Sequence, residues 1–308
     1  MRESIMIETA RTKTARLLLD WYDASGRDLP WRRTNDAYEI LVSEIMLQQT
    51  QVPRVVPAYR RWLEAFPDWQ ALARAGTAEV IRAWAGLGYN RRALALQEIA
   101  RQVVEHGLPD SEEDWLRLKG IGPYTAAAMT VFSLKKLAVP IDTNIRRAGA
   151  RLLLGEPFPE PRDDGKLRPR LAEVLRGSRR FDDLVQALFD LASLVCLKKP
   201  LCATCPLGRE CPACAGFLEG THAAPDRTYP ASRERKHRNK PHPDRIFRGR
   251  ILSLVREAPT GLAVADLGPR IDPSFEPAND RAWLDAMIGR LVADGLVMRS
   301  GNRLKLPS

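Results

Sequence analysis

The chain has 308 residues, 44% of them hydrophobic, with 48 Lys+Arg against 38 Asp+Glu and a net charge of +10. That length carries two or three domains with real cores, and a basic excess of this size favours a polyanionic partner, nucleic acid above all. No apolar run approaches a membrane span and residues 1–13 lack the apolar core of a signal peptide, so the expected setting is the cytoplasm, where five cysteines do not make a disulfide framework.

The first predicted helix covers 11–24, with Ala15, Leu18, Leu19 and Tyr22 on one face. Leu29-Pro30-Trp31-Arg32 then crosses as an extended segment. A helix over 36–50 has Ile40, Leu41, Ile45 and Leu47 as its apolar stripe, and Glu44 falls on that stripe. A carboxylate there is costly unless paired, and burial raises the pKa of a carboxyl group. Two readings stay open: a structural ion pair with an arginine, or a general acid held protonated near neutral pH. Gln48-Gln49-Thr50-Gln51 presents amides at the end of this helix, able to meet either base edges or solvent.

Amphipathic helices follow over 54–66, 69–75, 78–85 and 91–105. Between the last two lies Gly86-Leu87-Gly88-Tyr89-Asn90-Arg91-Arg92. It is either a helix–helix turn with a core tyrosine, or a loop whose Tyr89 wedges into a base stack while Arg91 and Arg92 hold phosphates. Further on, Leu118 ends one helix and Thr125 opens the next. Gly120 and Gly122 tighten the turn between them, because glycine takes φ > 0 at no steric cost. Such a turn aims N–H groups outward at a helix N-terminus, a site for a phosphate or its cation; the plainer reading is an αα-turn. Asp142, two residues after Pro140, reads as the N-cap of a helix over 142–155 whose first turn contains Asn144.

Helices over 167–175 and 181–195 lead to Cys196, Cys202, Cys205 and Cys211, spaced C-x5-C-x2-C-x5-C, with Cys214 to spare. Four clustered thiolates mean a metal or an iron–sulfur cluster, and the spacing alone does not choose. Lys198 and Lys199 stand in the first gap, where a phosphate backbone can lie. Residues 216–244 read as a basic, proline-dotted linker with solvated histidines that touches DNA electrostatically. Helices over 247–257 and 280–294 and a hairpin around Ser300-Gly301-Asn302 suggest a winged helix, a fold that binds DNA or protein.

Leu29-Pro30-Trp31-Arg32, Ser43-Glu44-Ile45-Met46-Leu47-Gln48-Gln49-Thr50, Gly86-Leu87-Gly88-Tyr89, the hairpin over 118–126, Asp142 and the cysteine cluster together resemble the adenine DNA glycosylases of the MutY type. These belong to the helix-hairpin-helix Gly/Pro-Asp superfamily related to endonuclease III, and the likeness spans about residues 15–215. It implies a mainly all-α, two-lobed fold. A six-helix barrel with the hairpin would cover 30–138, and a lobe built from 1–29 and 139–215 would hold a [4Fe–4S] cluster on Cys196, Cys202, Cys205 and Cys211. The linker over 216–244 and a winged-helix-like domain over 245–308 would follow.

The resemblance further implies a monofunctional glycosylase, a monomer at the nucleoid, that flips adenine opposite 8-oxoguanine or guanine out of double-stranded DNA. Glu44 would protonate the base, and Asp142 would stabilise an oxocarbenium-like sugar. Gln48, Gln49 and Thr50 would enter DNA near the lesion, and Tyr89 would wedge beside the opposing base. Arg91, Arg92, Gly120, Gly122, Asn144, Lys198 and Lys199 would line the DNA path. Tyr124 stands where bifunctional lyases place a Schiff-base lysine, and a phenol cannot form an imine. Three departures stand out: a first cysteine gap of x5 where x6 is usual, Thr143 after Asp142 where many members have glycine, and the winged helix in place of a Nudix-like domain. The alternative enzyme is a mismatch thymine/uracil glycosylase of the same superfamily; the alternative of another class is a non-catalytic DNA-binding protein.

Overall fold

The computed structural model describes the backbone of residues 2–223, 236–238 and 240–308, and side chains from Thr12 onward. The chain forms two compact units, Met1–Leu41 with Pro109–Arg227 and Val42–Leu108 with Thr228–Ser308. Almost all regular structure is helical.

Helix α1 (Arg2–Ser25) stops at Gly26, whose N–H donates to Tyr22 O at 2.7 Å. A Cβ on Gly26 would lie 2.6 Å from that same oxygen, so the chain can leave the helix here only through glycine. Pro30–Arg32 is a 3₁₀ turn rather than the extended segment expected, and it buries Trp31. The reason is Asp190, fully buried, which accepts from Arg27 N and Nε and from both terminal nitrogens of Arg32 at 2.7–2.8 Å. Burial pushes the Asp190 carboxyl up, but the Arg32 and Arg27 donors outweigh it and hold the group below its ordinary value.

Helix α2 (Ala37–Leu47) ends three residues before the expected limit. Gln49 turns left-handed at φ 55°, and Arg92 Nη1 takes the carbonyls of Ile45, Met46 and Gln48 that a longer helix would use. The rest of the barrel segment is α3 (Val52–Ala65), α4 (Trp69–Arg74), α5 (Thr77–Ala83) and α6 (Arg91–His106). Its core holds Trp62 edge-on to Phe66 and Trp84, at centroid distances of 4.9 and 5.3 Å.

The other unit continues with α7 (Glu112–Arg117), α8 (Pro123–Phe132), α9 (Thr143–Leu154), α10 (Asp164–Arg176), α11 (Phe181–Leu194) and the short α12 (Cys214–Leu218). Gly149 lets α9 and α10 close on each other: a Cβ there would meet Leu167 Cδ1 at 3.2 Å. Helix α9 ends at Gly155 in the left-handed region, as a glycine C-cap does.

The C-terminal elements are α13 (Asp244–Arg256), β1 (Leu262–Ala263), α14 (Leu267–Ile271), α15 (Pro277–Ala293), β2 (Met298–Ser300) and β3 (Arg303–Lys305). The strands pair antiparallel in the order β1-β3-β2, and the β2–β3 hairpin turns at Gly301-Asn302. Helix, strand, two helices and a hairpin make this part winged-helix-like. Of the expected linker, 224–235 and Asn239 lie outside the described residues. Of its three described histidines, His242 is exposed, as expected of a solvated side chain, whereas His222 and His237 are not. His222 Nε2 lies 3.1 Å from Ala213 O and its ring edges Phe217. His237 stacks on Trp283, with Nε2 3.1 Å from Asp280 Oδ1. Lys240, 8% exposed at its side chain, bridges Asp272 and Asp280 at 2.6 and 2.7 Å. His237 and Lys240 face the tail's own acids because a buried carboxylate needs a partner more than an exposed cation does.

Candidate active site and cysteine cavity

Glu44 lies on α2 with 7% of its surface exposed, between the fully buried Val42 and Met46. Burial of this carboxylate is the expectation drawn from the apolar stripe of α2. Gln48 is half-buried and Gln49 exposed, just past the end of α2. The left-handed Gln49 turns the chain sharply there.

Arg92 organises this end of the unit. While its Nη1 holds the carbonyls of Ile45, Met46 and Gln48, its Nη2 donates to Thr50 Oγ1 at 3.2 Å and to the carbonyls of Leu87 and Gly88 at 3.3 and 3.1 Å. Its guanidinium also faces the rings of Trp84 and Tyr89. Burial draws the Arg92 pKa below the usual arginine value. Both Arg92 and Thr50 therefore point inward, joining the turn after α2 to the loop before α6. Tyr89 holds the opposite position: its side chain is 53% exposed and its backbone is left-handed at φ 45°. For a non-glycine residue that conformation needs its surroundings to hold it. Arg91 is exposed and lies 3.6 Å from Asp294.

The other unit carries the hairpin and Asp142. Leu118 caps α7, Ile121 N–H returns to Leu118 O at 3.1 Å, and Gly122 is the N-cap of α8. The two glycines have different reasons. Gly120 sits at φ 104°, which demands glycine. Gly122 sits at φ −100°, which any residue adopts, but it is exposed and a Cβ there would meet no protein atom within 4 Å. Its lack of a side chain leaves the α8 N–H groups open to close approach. Tyr124, in the first turn of α8, is half-buried with its ring edge-on to Phe189. Lys198 and Lys199 are exposed.

Asp142 is the N-cap of α9, as its position after Pro140 implies. Oδ1 accepts from Asn144 N and Ile145 N at 2.9 and 2.7 Å, and Oδ2 from Asn144 Nδ2 at 2.8 Å. Asn144 Oδ1 in turn accepts from Arg147 Nη2 at 3.2 Å. Arg147 also donates to Ala192 O and Cys196 O at 2.7 and 2.9 Å. One helical turn on, Arg151 donates to Leu197 O at 2.6 Å and reaches Cys196 Sγ at 3.6 Å, while Cys211 Sγ donates to Arg151 O. Two arginines four residues apart thus bolt the helix capped by Asp142 to the cysteine loop. The only sequence signal for this pair is its i, i+4 spacing on a face flanking the apolar stripe.

Cys196, Cys202, Cys205, Cys211 and Cys214 all line one pocket, together with Arg151, Leu201 and Phe217. Among the described residues no three His, Cys, Asp or Glu side chains converge on one ion. Burial and neighbouring sulfurs push the Cys202 thiol up to about 12, and burial pushes Cys211 up to about 11. Five thiols in one cavity cannot ionise together unless a cationic centre compensates them.

Comparison with known proteins gives three findings. A family model described as the HhH-GPD superfamily of base excision DNA repair proteins matches residues 42–171. The adenine DNA glycosylase of Mycolicibacterium smegmatis is 36% identical over 290 residues, 92% of this chain and 92% of that one. That of Mycobacterium tuberculosis is 35% identical over 298 residues, 94% and 92% of the two chains. Among solved structures, a thermostable thymine-DNA glycosylase is 27% identical with a TM-score of 0.61, covering 67% of this chain and 97% of that one. Among the described residues no helix is long and apolar enough to cross a membrane.

Proposed function

We propose that this chain, which belongs to the adenine DNA glycosylases of the HhH-GPD base excision repair superfamily, releases adenine mispaired with 8-oxoguanine or guanine in double-stranded DNA at the nucleoid. The observation that carries this reading is Glu44, a carboxylic acid buried on the apolar face of α2. Adenine is a poor leaving group until its ring is protonated. Glu44 delivers that proton, the N-glycosidic bond breaks with its electron pair going to the base, and water adds its hydroxyl to the sugar while its proton returns to the Glu44 carboxylate. Asp142 stabilises the positive charge that grows on the sugar, which it does best where solvent is scarce. Tyr124 offers no amine for an imine, so the reaction stops at the abasic site.

Gly120, Gly122 and the α8 N-terminus bind a phosphate through backbone N–H groups, Lys198 and Lys199 meet the backbone as point charges, and Gln48 and Gln49 read base edges. Asn144 acts on DNA only indirectly, since its amide already holds Asp142 and Arg147. Tyr89 wedges beside the opposing base. The deciding experiment is single-turnover base release on duplexes holding A opposite 8-oxoguanine, A opposite G, T opposite G and U opposite G. Fast adenine release from the first two supports the reading. Release of thymine or uracil with adenine untouched moves the chain to the thymine branch, which its likeness to a thymine-DNA glycosylase keeps in view.

The donor set suits a [4Fe–4S] cluster, since four thiols line one pocket. Cys196, Cys202, Cys205 and Cys211 would hold it, with Arg151 aimed at the Cys196 sulfur. The cluster would cross-link its loop and neutralise the buried thiolates. Anaerobically purified protein should be brown, with about four irons per chain. A colourless protein with one bound zinc would overturn the assignment.

A further inference from the structure

The winged-helix-like tail does not stand apart from the barrel segment of its own unit. Its apolar core, built on Phe247, Ile251, Trp283 and Leu291, runs without a break to Ile81 of α5, which is fully buried. Leu94 of α6 packs on the same core, and Gly295 comes close enough that a Cβ there would touch Leu94 Cδ1 at 3.6 Å. The polar contacts concentrate on one residue. Arg256, the last residue of α13, donates through Nε to Ile81 O at 3.1 Å and through Nη2 to Asn90 Oδ1 at 2.7 Å. Ile81 O lies in the last turn of α5, where carbonyls lack helical partners. Burial draws the Arg256 pKa below the arginine norm, so it faces these acceptors with little water in competition.

Asn90 is the informative partner. It is the N-cap of α6, a position asparagine favours because its side chain can accept from the helix N–H groups. Here the side chain makes no cap bond and turns to Arg256 instead. The residue before it is Tyr89, exposed and left-handed. The loop is thus gripped twice, by Arg92 from within the barrel segment and by Arg256 from the tail.

We propose that the tail is a brace for the Tyr89 loop, with Arg256 as its positioning residue, so that discrimination of the opposing base depends on a domain that need not touch DNA. The proposal rests on Tyr89 being the wedge. A phosphate-binding winged helix is the competing role.

The test uses the full-length protein and four variants: Arg256→Ala, Tyr89→Ala, the double variant, and Asn90→Ala, which removes the same hydrogen bond from the other side should Arg256→Ala fail to fold. Binding to matched and A:8-oxoguanine duplexes is measured with 2-aminopurine beside the opposing base, alongside thermal melting and salt dependence. Arg256→Ala should lower the mispair-over-matched affinity ratio by about tenfold, the worth of one charge-assisted hydrogen bond. It should also quench the 2-aminopurine signal of unstacking, and should add nothing to Tyr89→Ala in the double variant. Additive effects, or a lowered melting temperature with an unchanged ratio and signal, would overturn the brace. So would equal loss on both duplexes with a flatter salt slope, which marks a phosphate contact. If Tyr89→Ala alone leaves the ratio untouched, the wedge reading fails and takes the brace with it, whereas adenine release on the duplex panel still judges the catalytic reading separately.

Discussion

Glu44→Gln lowers the single-turnover rate of adenine release by at least about a hundredfold, within the range a positioned general acid contributes, while folding and duplex binding stay near those of the parent. The substitution is nearly isosteric, and glutamate and glutamine have similar helix propensities, so α2 has no reason to move. An amide can donate a hydrogen bond to the adenine ring but has no proton to give. The competing account makes Glu44 half of a structural ion pair. Losing its charge would then leave a buried cation uncompensated, at a cost of about 3–5 kcal/mol, and would show in melting rather than in the rate per folded molecule. Rapid-quench kinetics and a thermal melt on the same preparation separate the two. A full rate with a lowered melting temperature removes Glu44 from the chemistry.

How far the sequence reveals these sites depends on the range of the interactions that build them. Asp142 as a cap, Gly120 in a tight turn and Glu44 on an apolar stripe are consequences of local periodicity and backbone sterics, which a few consecutive residues determine. The arginines are different. Arg92 reads as a phosphate ligand in a basic loop, yet its donors close onto Ile45, Met46 and Gln48, more than forty residues away in the chain. Nothing in Tyr89-Asn90-Arg91-Arg92 announces carbonyls left open by a helix that stops at Leu47. Arg147 and Arg151 are unmarked in the sequence for the same reason, since their partners are backbone oxygens of Ala192, Cys196 and Leu197. Backbone acceptors carry no residue identity, so a sequence cannot flag them. His237 and Lys240 read as parts of a solvated linker because their partners, Asp272 and Asp280, follow more than thirty residues later. The winged-helix order itself was legible from its hairpin, whereas its packing on Ile81 was not, because one isoleucine on an amphipathic helix looks like any other.

The same distinction between local and chemical roles makes Asp142 testable in a way few N-caps are. Its Oδ1 satisfies two N–H groups of α9, a structural service worth about 0.5–2 kcal/mol. Asparagine performs that service about as well as aspartate. Oδ2 is the atom that differs, because in Asp142→Asn it becomes an NH2 facing the Asn144 amide. Asn144 can turn its own oxygen to it, losing the 3.2 Å bond from Arg147. Asp142→Asn should therefore melt within a few degrees of the parent yet release adenine about 10²–10³-fold more slowly, the usual loss when preorganised charge is withdrawn from a transition state. Asp142→Ala removes both cap and charge and should lose stability as well. Asp142→Glu keeps the charge but sets the carboxylate one methylene too far out to cap α9, so it should melt lower and recover little of the rate. A cap with no chemical role gives the opposite order, with Asp142→Asn fully active and only the alanine and glutamate variants impaired, through stability alone. Because the asparagine variant is the one change that leaves the helix satisfied and takes the charge away, its rate decides whether Asp142 acts on the sugar or only on α9.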